Sequence, residues 1–212
     1  MNIFFDLDGT LIDISDKYYR AYKDLVKHYH GKPLPRSLFW RYKRSRVSTS
    51  DLLSKSALSA VSAEKFSDMF MEALESKKYC VLDRLFPFTI RCLSTLIKRN
   101  HTLHLVSARH NKKNALFQIS AMGLTPFFTS IYVGKMHKNG HVAKRIAIQP
   151  KLAGRKGPFA VVGDTKDEIE AARELGGISI VVLSGVRNKK LLSSYRPDYI
   201  IKDIRQVVSI IP

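Results

Sequence analysis

Acidic residues are what this chain most lacks: from Arg84 through Gly163 there is not one Asp or Glu, while Lys and Arg recur throughout that stretch. Across its 212 residues, 36 Lys and Arg outweigh 18 Asp and Glu, a formal net charge of +18. Such a field concentrates anions, whether phosphorylated metabolites, nucleotides or nucleic acid, although a merely solvated basic surface explains the charge as well. Cysteine is almost absent too. Cys80 and Cys92 have neither metal-ligand nor redox spacing, which favours buried reduced thiols over a disulfide. No apolar run reaches the roughly 18 residues needed to cross a bilayer. Asp6 and Asp8 also interrupt the N-terminus where a signal peptide would need its apolar region, so a cytoplasmic protein without a membrane partner is expected. Internal repeats and low-complexity tracts are missing.

What is present is enough apolar residue, 45% of the chain, to bury a sizeable core for one domain plus an insertion. After an opening strand and a polar linker over 13–17, the pattern turns helical. Tyr18, Tyr22, Leu25, Val26 and Tyr29 recur at three- and four-residue intervals up to His30-Gly31. A second helical stretch interleaves Leu38, Phe39, Trp40 and Tyr42 with Arg36, Arg41, Lys43, Arg44 and Arg46. Its aromatic and basic residues suit either base stacking or, more ordinarily, a packed face with a solvated basic side. Ser48 to Asp51 resembles a capping box opening a third helix, and 63–78 makes a fourth around Phe66, Met69, Phe70 and Leu74. Four helices without an intervening strand cannot be an ordinary βαβ crossover. They predict a helical insertion over 15–86 within an α/β domain made of 1–14 and 87–212.

The remainder alternates helices with continuous apolar runs ending at Ser107, Val133, Gly163, Leu183 and Ile201. Runs of that kind predict a Rossmann-like parallel sheet covered by helices on both faces. In such sheets ligands bind outside the carboxyl ends of the strands. Asp6, Ser107 and Asp164 each stand at such an end, so all three are expected to converge on one edge.

Asp6-Leu7-Asp8-Gly9-Thr10-Leu11, then Ser107, Lys144, and Gly163-Asp164-Thr165 followed by Glu168, occur in the order found in the haloacid dehalogenase superfamily. Over essentially its whole length the chain resembles that superfamily's Asp-x-Asp-Gly-Thr phosphatases with a helical cap, of the phosphoglycolate phosphatase-like kind. Each motif alone is weak, whereas the set is specific. The resemblance implies phosphate monoester hydrolysis through an aspartyl phosphate on Asp6, with Asp8 as general acid and base. Ser107 and a lysine would hold the phosphoryl oxygens. Thr10, Ser107, Arg109 and, on the insertion, Arg41 and Arg44 would contact the substrate. Asp6, Asp8 through its backbone carbonyl, Asp164 and Glu168 would form the metal site. Crowded carboxylates with oxygen donors favour Mg²⁺.

Lys135, Lys138 and Lys144 all follow the Ile131 strand on the correct side of the sheet, and Lys144 best matches the family's pattern. Lys156 precedes its strand and belongs to the opposite edge. Where the family usually has Asp four residues after the metal-binding Asp, this chain has Glu168, and either it or Asp167 can hold a metal-bound water. Asp167 also suits the first turn of a helix. His137 and His141 are four apart, but Asn139-Gly140 between them argues against one helical face. The expected substrate is a small phosphorylated metabolite or nucleotide. Nucleic acid, motivated by the charge, is the alternative, acted on at its phosphate ends or bound without catalysis.

Overall fold

A computed structural model of the chain describes residues 1–58, 61–134, 140–153 and 157–211. The chain divides into two compact units, one of Met1–Asp13 with Leu85–Pro212 and one of Ile14–Arg84.

The first unit is built on six strands: β1 (Asn2–Phe5), β2 (Thr102–Ser107), β3 (Ser130–Val133), β4 (Phe159–Gly163), β5 (Ile178–Val182) and β6 (Tyr199–Ile201). They form one sheet in the order β3-β2-β1-β4-β5-β6, and every neighbouring pair is parallel. This is the Rossmann-like α/β arrangement that the apolar runs predict. Phe4, Val106 and Val161 look toward one face, where Ala147, Ile148, Ala171 and Ala172 from two helices cover them. Ile3, Phe5, Leu105, Ala160 and Val162 alternate to the other face and are equally buried. A strand enclosed on both sides gains burial from every residue, which is why these segments read as unbroken apolar runs. His104 is a satisfied core histidine, stacked on Phe4 and bonded to Ser130 and Asn2.

The Ile14–Arg84 unit is helical: α1 (Ser15–His28), α2 (Arg36–Arg44), α3 (Thr49–Lys55), α4 (Ala63–Glu75) and α5 (Lys77–Cys80). Two expectations need correction here. The segment 13–17 is not all linker, because α1 starts at Ser15, and Lys17 is buried against Asp83 at 2.8 Å. The helix expected over 63–78 stops at Glu75. Ser76 turns extended and bonds back to the Ala73 carbonyl, ending α4 and starting α5, so a local side-chain bond outcompetes helix continuation. Phe66 and Leu74 are buried, while Met69 and Phe70 are only half-buried. Ser48 caps α3 by accepting the Asp51 N–H. Phe39 is buried in an aromatic cluster with Tyr22, Trp40 and Phe66, and Lys43 lies over the rings of Tyr18 and Phe70. The α2 aromatics Phe39 and Trp40 are thus spent on packing, while Arg36 and Arg41 are exposed and Lys43 and Arg44 are half-buried.

The first unit's helices are α6 (Thr89–Lys98), α7 (Lys112–Ala121), α8 (Gly140–Leu152), α9 (Lys166–Leu175), α10 (Lys189–Ser194) and α11 (Val207–Ile210). The apolar pattern does not predict the last two, which are short. Cys80 and Cys92 are buried free thiols. Among the described residues, no helix is long and apolar enough to cross a membrane.

Candidate active site

β1 is the point where strand order reverses, because the chain builds β2 and β3 on one side of it and then β4, β5 and β6 on the other. A crevice opens at the carboxyl edge of such a switch point. Phe5 stands opposite Leu105 and Val162, so Asp6 emerges level with Val106 and Gly163, one step before Ser107 and Asp164. Adjacent strands lie about 4.8 Å apart, which brings these three residues to one rim. The Asp6 N–H donates to the Val162 carbonyl at 2.8 Å, extending the ladder to the acid itself.

Asp6 is buried, and its Oδ1 accepts a hydrogen bond from Lys144 Nζ at 2.6 Å. Lys144, carried on the first turns of α8, also donates to Glu168 Oε1. Glu168 spends its second oxygen on the N–H and hydroxyl of Thr165 at 2.9 and 2.7 Å, closing a capping box at the start of α9. Both oxygens of Glu168, expected as a metal ligand, are therefore occupied by protein donors. Its carboxylate anchors Lys144 rather than standing open. Asp164 Oδ2 accepts the Val186 N–H at 2.6 Å, and its other oxygen makes no hydrogen bond to the described residues. A Cβ on Gly185 would lie 1.9 Å from Asp164 Oδ2, so only glycine lets that loop approach so closely.

Burial pushes the Asp6 carboxyl well above the usual range, and Glu168 and Asp164 add to the shift against the pull of Lys144. Asp164 is pushed up to about 7 by burial and by Glu168. For Lys144, burial favours the neutral amine, but Asp6 and Glu168 together outweigh it and hold the ammonium above its ordinary range. Three buried carboxylates against one buried ammonium leave an excess of negative charge. An all-oxygen donor set in that state fits a hard divalent cation, which carboxylate oxygens of Asp6 and Asp164 can hold.

Asp8 lies beyond the strand, after which Gly9 takes a positive φ of 76° and turns the chain back. A Cβ there would sit 2.5 Å from Asp164 Oδ2. Arg109, expected to touch the substrate, instead holds Asp8 in a two-pronged pair, Nε to Oδ2 at 2.7 Å and Nη2 to Oδ1 at 2.6 Å. Its remaining Nη1 donates to Gln118 on α7. Ser107 is buried, its Oγ accepting the Arg109 N–H at 3.4 Å. Thr10 is buried, and its hydroxyl has no partner among the described residues.

Arg41 and Arg44 belong to the helical unit, where Arg41 is exposed beside the Tyr42 ring and Arg44 is half-buried. Lys135, Lys138, Lys156 and His137 lie outside the described residues. Asp167 sits in the first turn of α9 with its carboxylate against the backbone of Gly140, and burial raises its pKa. His141, Asp167 and Glu170 bring three potential ligand atoms within 4.8 Å of one another. Both ring nitrogens of His141 already face carboxylates, Glu170 at 3.1 Å and Glu174 at 3.4 Å. Lys166 and Arg145 pair with the same two glutamates. This is an ion-pair lattice joining α8 to α9. Sequence reasoning passed over Gln118 and Val186, and it named Thr165 in a motif without giving it a role. Only Thr165 carried a signal, a capping threonine three residues before a glutamate.

Comparison with known proteins agrees with this fold. The haloacid dehalogenase-like hydrolase family matches residues 3–182. A pyrophosphatase PpaX of Oceanobacillus iheyensis is 24% identical over 211 residues, covering 99% of this chain and 95% of that protein. A phosphoglycolate phosphatase of Haemophilus influenzae is 25% identical over 230 residues, covering 99% and 97%. Among solved structures, a haloacid dehalogenase-like hydrolase from Streptococcus pneumoniae is 22% identical with a TM-score of 0.74, covering 100% of this chain and 98% of the other. With two aspartates after the central strand, a lysine-bound acid and a third aspartate on the neighbouring strand, this chain belongs to the haloacid dehalogenase-like hydrolases, as a phosphatase.

Proposed function

We propose that the protein is a Mg²⁺-dependent phosphatase that hydrolyses a small phosphate monoester or a phosphoanhydride through an aspartyl phosphate on Asp6. The observation that carries this reading is the state of the Asp6 carboxylate. One oxygen is fixed by Lys144 at 2.6 Å, and the other makes no hydrogen bond to the described residues, at the rim that Ser107 and Asp164 share. A carboxylate needs no deprotonation to attack, so a fixed and half-free one is a ready nucleophile.

Asp6 Oδ2 attacks phosphorus, the bond to the leaving oxygen breaks, and Asp8 delivers a proton to that oxygen. Asp8 then takes a proton from water, which attacks phosphorus and releases inorganic phosphate and free Asp6. Lys144 and the hydroxyls of Ser107 and Thr10 are suited to the phosphoryl oxygens, and the unpartnered Thr10 hydroxyl has a donor to give. Asp6, the Asp8 carbonyl and Asp164 would hold Mg²⁺, which supplies charge neutralisation of the phosphoryl group when bound. Glu168 acts from behind by fixing Lys144. The helical unit is read as the family's cap, with Arg41 and Arg44 as its candidate substrate contacts. The relatives' names point to pyrophosphate and phosphoglycolate as first substrates to try.

Asp6→Asn is expected to abolish turnover of p-nitrophenyl phosphate while leaving the circular dichroism spectrum unchanged. EDTA should silence the wild type until Mg²⁺ is returned. Undiminished turnover by the folded Asn variant would overturn the assignment.

A further inference from the structure

Where α8 meets α9, a second group of titratable side chains stands outside the machinery that the phosphatase reading uses. Asp167, Glu170 and Glu174 recur at three- and four-residue intervals and so share one face of α9, and His141 reaches them from the first turn of α8. One ring nitrogen of His141, one oxygen of Asp167 and one of Glu170 lie within 4.8 Å of one another. Each glutamate divides its oxygens. Glu170 gives Oε1 to Lys166 at 2.6 Å and Glu174 gives Oε2 to Arg145 at 3.1 Å, while Glu170 Oε2 and Glu174 Oε1 turn to the two nitrogens of His141. A neutral imidazole has a single N–H, so its bare nitrogen confronts a carboxylate unless a second proton or a metal ion stands between them. Asp167 adds a third carboxylate, whose oxygens form no hydrogen bond or ion pair with the described residues. A Cβ on Gly140 would collide with that carboxylate, so glycine at the start of α8 leaves it room.

We propose that His141, Asp167 and Glu170 are the ligands of a second metal site, separate from the catalytic carboxylates, that takes a borderline transition cation of which Zn²⁺ is the type. Glu174 or water completes the coordination. Two ligands held tetrahedrally at about 2.1 Å from zinc stand about 3.4 Å apart. His141 Nδ1 and Glu170 Oε2 are 3.1 Å apart. All three ligands are half-buried, so an ion reaches them from solvent. The nitrogen donor sets the choice of ion, because imidazole suits zinc and its neighbours whereas Mg²⁺ takes oxygen and keeps much of its water. The catalytic rim offers a cation oxygen alone, so the two sites sort two ions. His141 lies one turn before Lys144, and Asp167 directly precedes Glu168. The bound ion therefore ties the helix that carries the ammonium to the helix that carries its anchor. The site stands whether or not Asp6 is the nucleophile.

To test this, the metal-free full chain is saturated with Mg²⁺ and then given Zn²⁺ in competition with a chromophoric chelator. Wild type should retain one equivalent of Zn²⁺, and so should Asp164→Asn, which disables the catalytic donor set. His141→Ala, Asp167→Asn and Glu170→Gln should each weaken retention by at least about tenfold, the loss that even a change behind a ligand produces. In proton NMR, Zn²⁺ should move one histidine ring of the wild type, and that signal should be missing from His141→Ala. Circular dichroism checks that each variant folds, and Glu170→Gln, which keeps the shape of its side chain, carries the test if His141→Ala does not. Wild type that retains no Zn²⁺ beside Mg²⁺ overturns the proposal. So does retention that Asp164→Asn abolishes and His141→Ala keeps, since the ion would then sit among the catalytic carboxylates. Neither result touches the phosphatase reading, which fails if Asp6→Asn keeps full activity.

Discussion

Asp6 and Asp8 stand two residues apart, and each is held by a cation delivered from more than a hundred residues further along the chain. The two pairs nevertheless differ in depth and in kind. Asp6 meets a lysine where both side chains are at most 10% exposed, and that lysine is shared with Glu168. Asp8 meets an arginine through a planar fork, and its own side chain is 26% exposed. A shared, enclosed ammonium is a fixed charge that cannot leave without stranding two carboxylates. A fork gripping a carboxylate at the edge of solvent can open on one side. The deep pair suits a nucleophile that must stay in place, and the shallow pair suits an acid that must change partners during turnover.

The harshest way to break the deep pair is Lys144→Ala. It leaves Asp6, Glu168 and Asp164 buried together without their ammonium. Removing one partner of a buried pair costs about 3–5 kcal/mol, because the other charge is stranded. Turnover should fall by roughly 10³-fold, as expected when a preorganised charge is removed from a transition state. Urea unfolding in EDTA and steady-state kinetics measure the two losses. Adding Glu168→Gln to that variant removes one stranded charge and should return part of the stability but none of the rate. Equal recovery of both would mean that Lys144 acts only as a structural counter-ion.

Acidity probes the same pair more gently. An Asp164 carboxyl that titrates near 7 when folded and near 3.8 when unfolded keeps its proton longer in the folded state. Below both values it contributes no pH dependence. As pH rises between them the unfolded chain ionises first, so folding stability declines, and above about 7 the penalty is constant. Asp6 shifts in the same direction. The protein in EDTA should therefore lose about 2 kcal/mol of stability from these groups between pH 5 and pH 7. Urea titrations across that window should show it, and Asp164→Asn should flatten the slope. Excess Mg²⁺ should stabilise the protein more at pH 8 than at pH 5, since only the ionised carboxylates bind it well.

How much of this contrast was legible in the sequence depends on what kind of rule places each residue. Ile3-Phe4-Phe5 and Ala160-Val161-Val162 announce strands because a strand buried on both faces has no polar alternation to hide it. Strand direction then fixes which end of each run matters, so Asp6, Ser107 and Asp164 were found by position alone. Lys135, Lys138 and Lys144 all followed from their place after the β3 strand, the family's pattern singled out Lys144, and the structure sets that lysine on Asp6. Arg109 lay just as visibly beside Ser107, yet its partner did not follow. Which carboxylate a long side chain reaches is decided by rotamers and by Gln118 on a helix that itself has to be placed. The break at Ser76 was hidden for a related reason: the apolar stripe of Phe66, Phe70 and Leu74 runs up to it, and one hydroxyl bonding to Ala73 ends the helix. Periodicity reports faces, and it says little about single hydrogen bonds.

Gln118 offers the finest cut between the two pairs, because it accepts a hydrogen bond from Arg109. Gln118→Ala removes one neutral acceptor from a charged donor and leaves both prongs on Asp8 intact. Such a bond contributes about 1 kcal/mol net, so kcat/KM for 2-phosphoglycolate should drop about fivefold. Turnover of p-nitrophenyl phosphate should change less, because nitrophenolate departs without a proton and so asks less of Asp8. Thermal stability should hardly move, since Gln118 is only half-buried on α7. A uniform loss on both substrates would mean that α7 steadies the site as a whole. A loss confined to 2-phosphoglycolate would locate the effect in the aim of Asp8, and so separate the pair that opens from the fixed one by a single side chain.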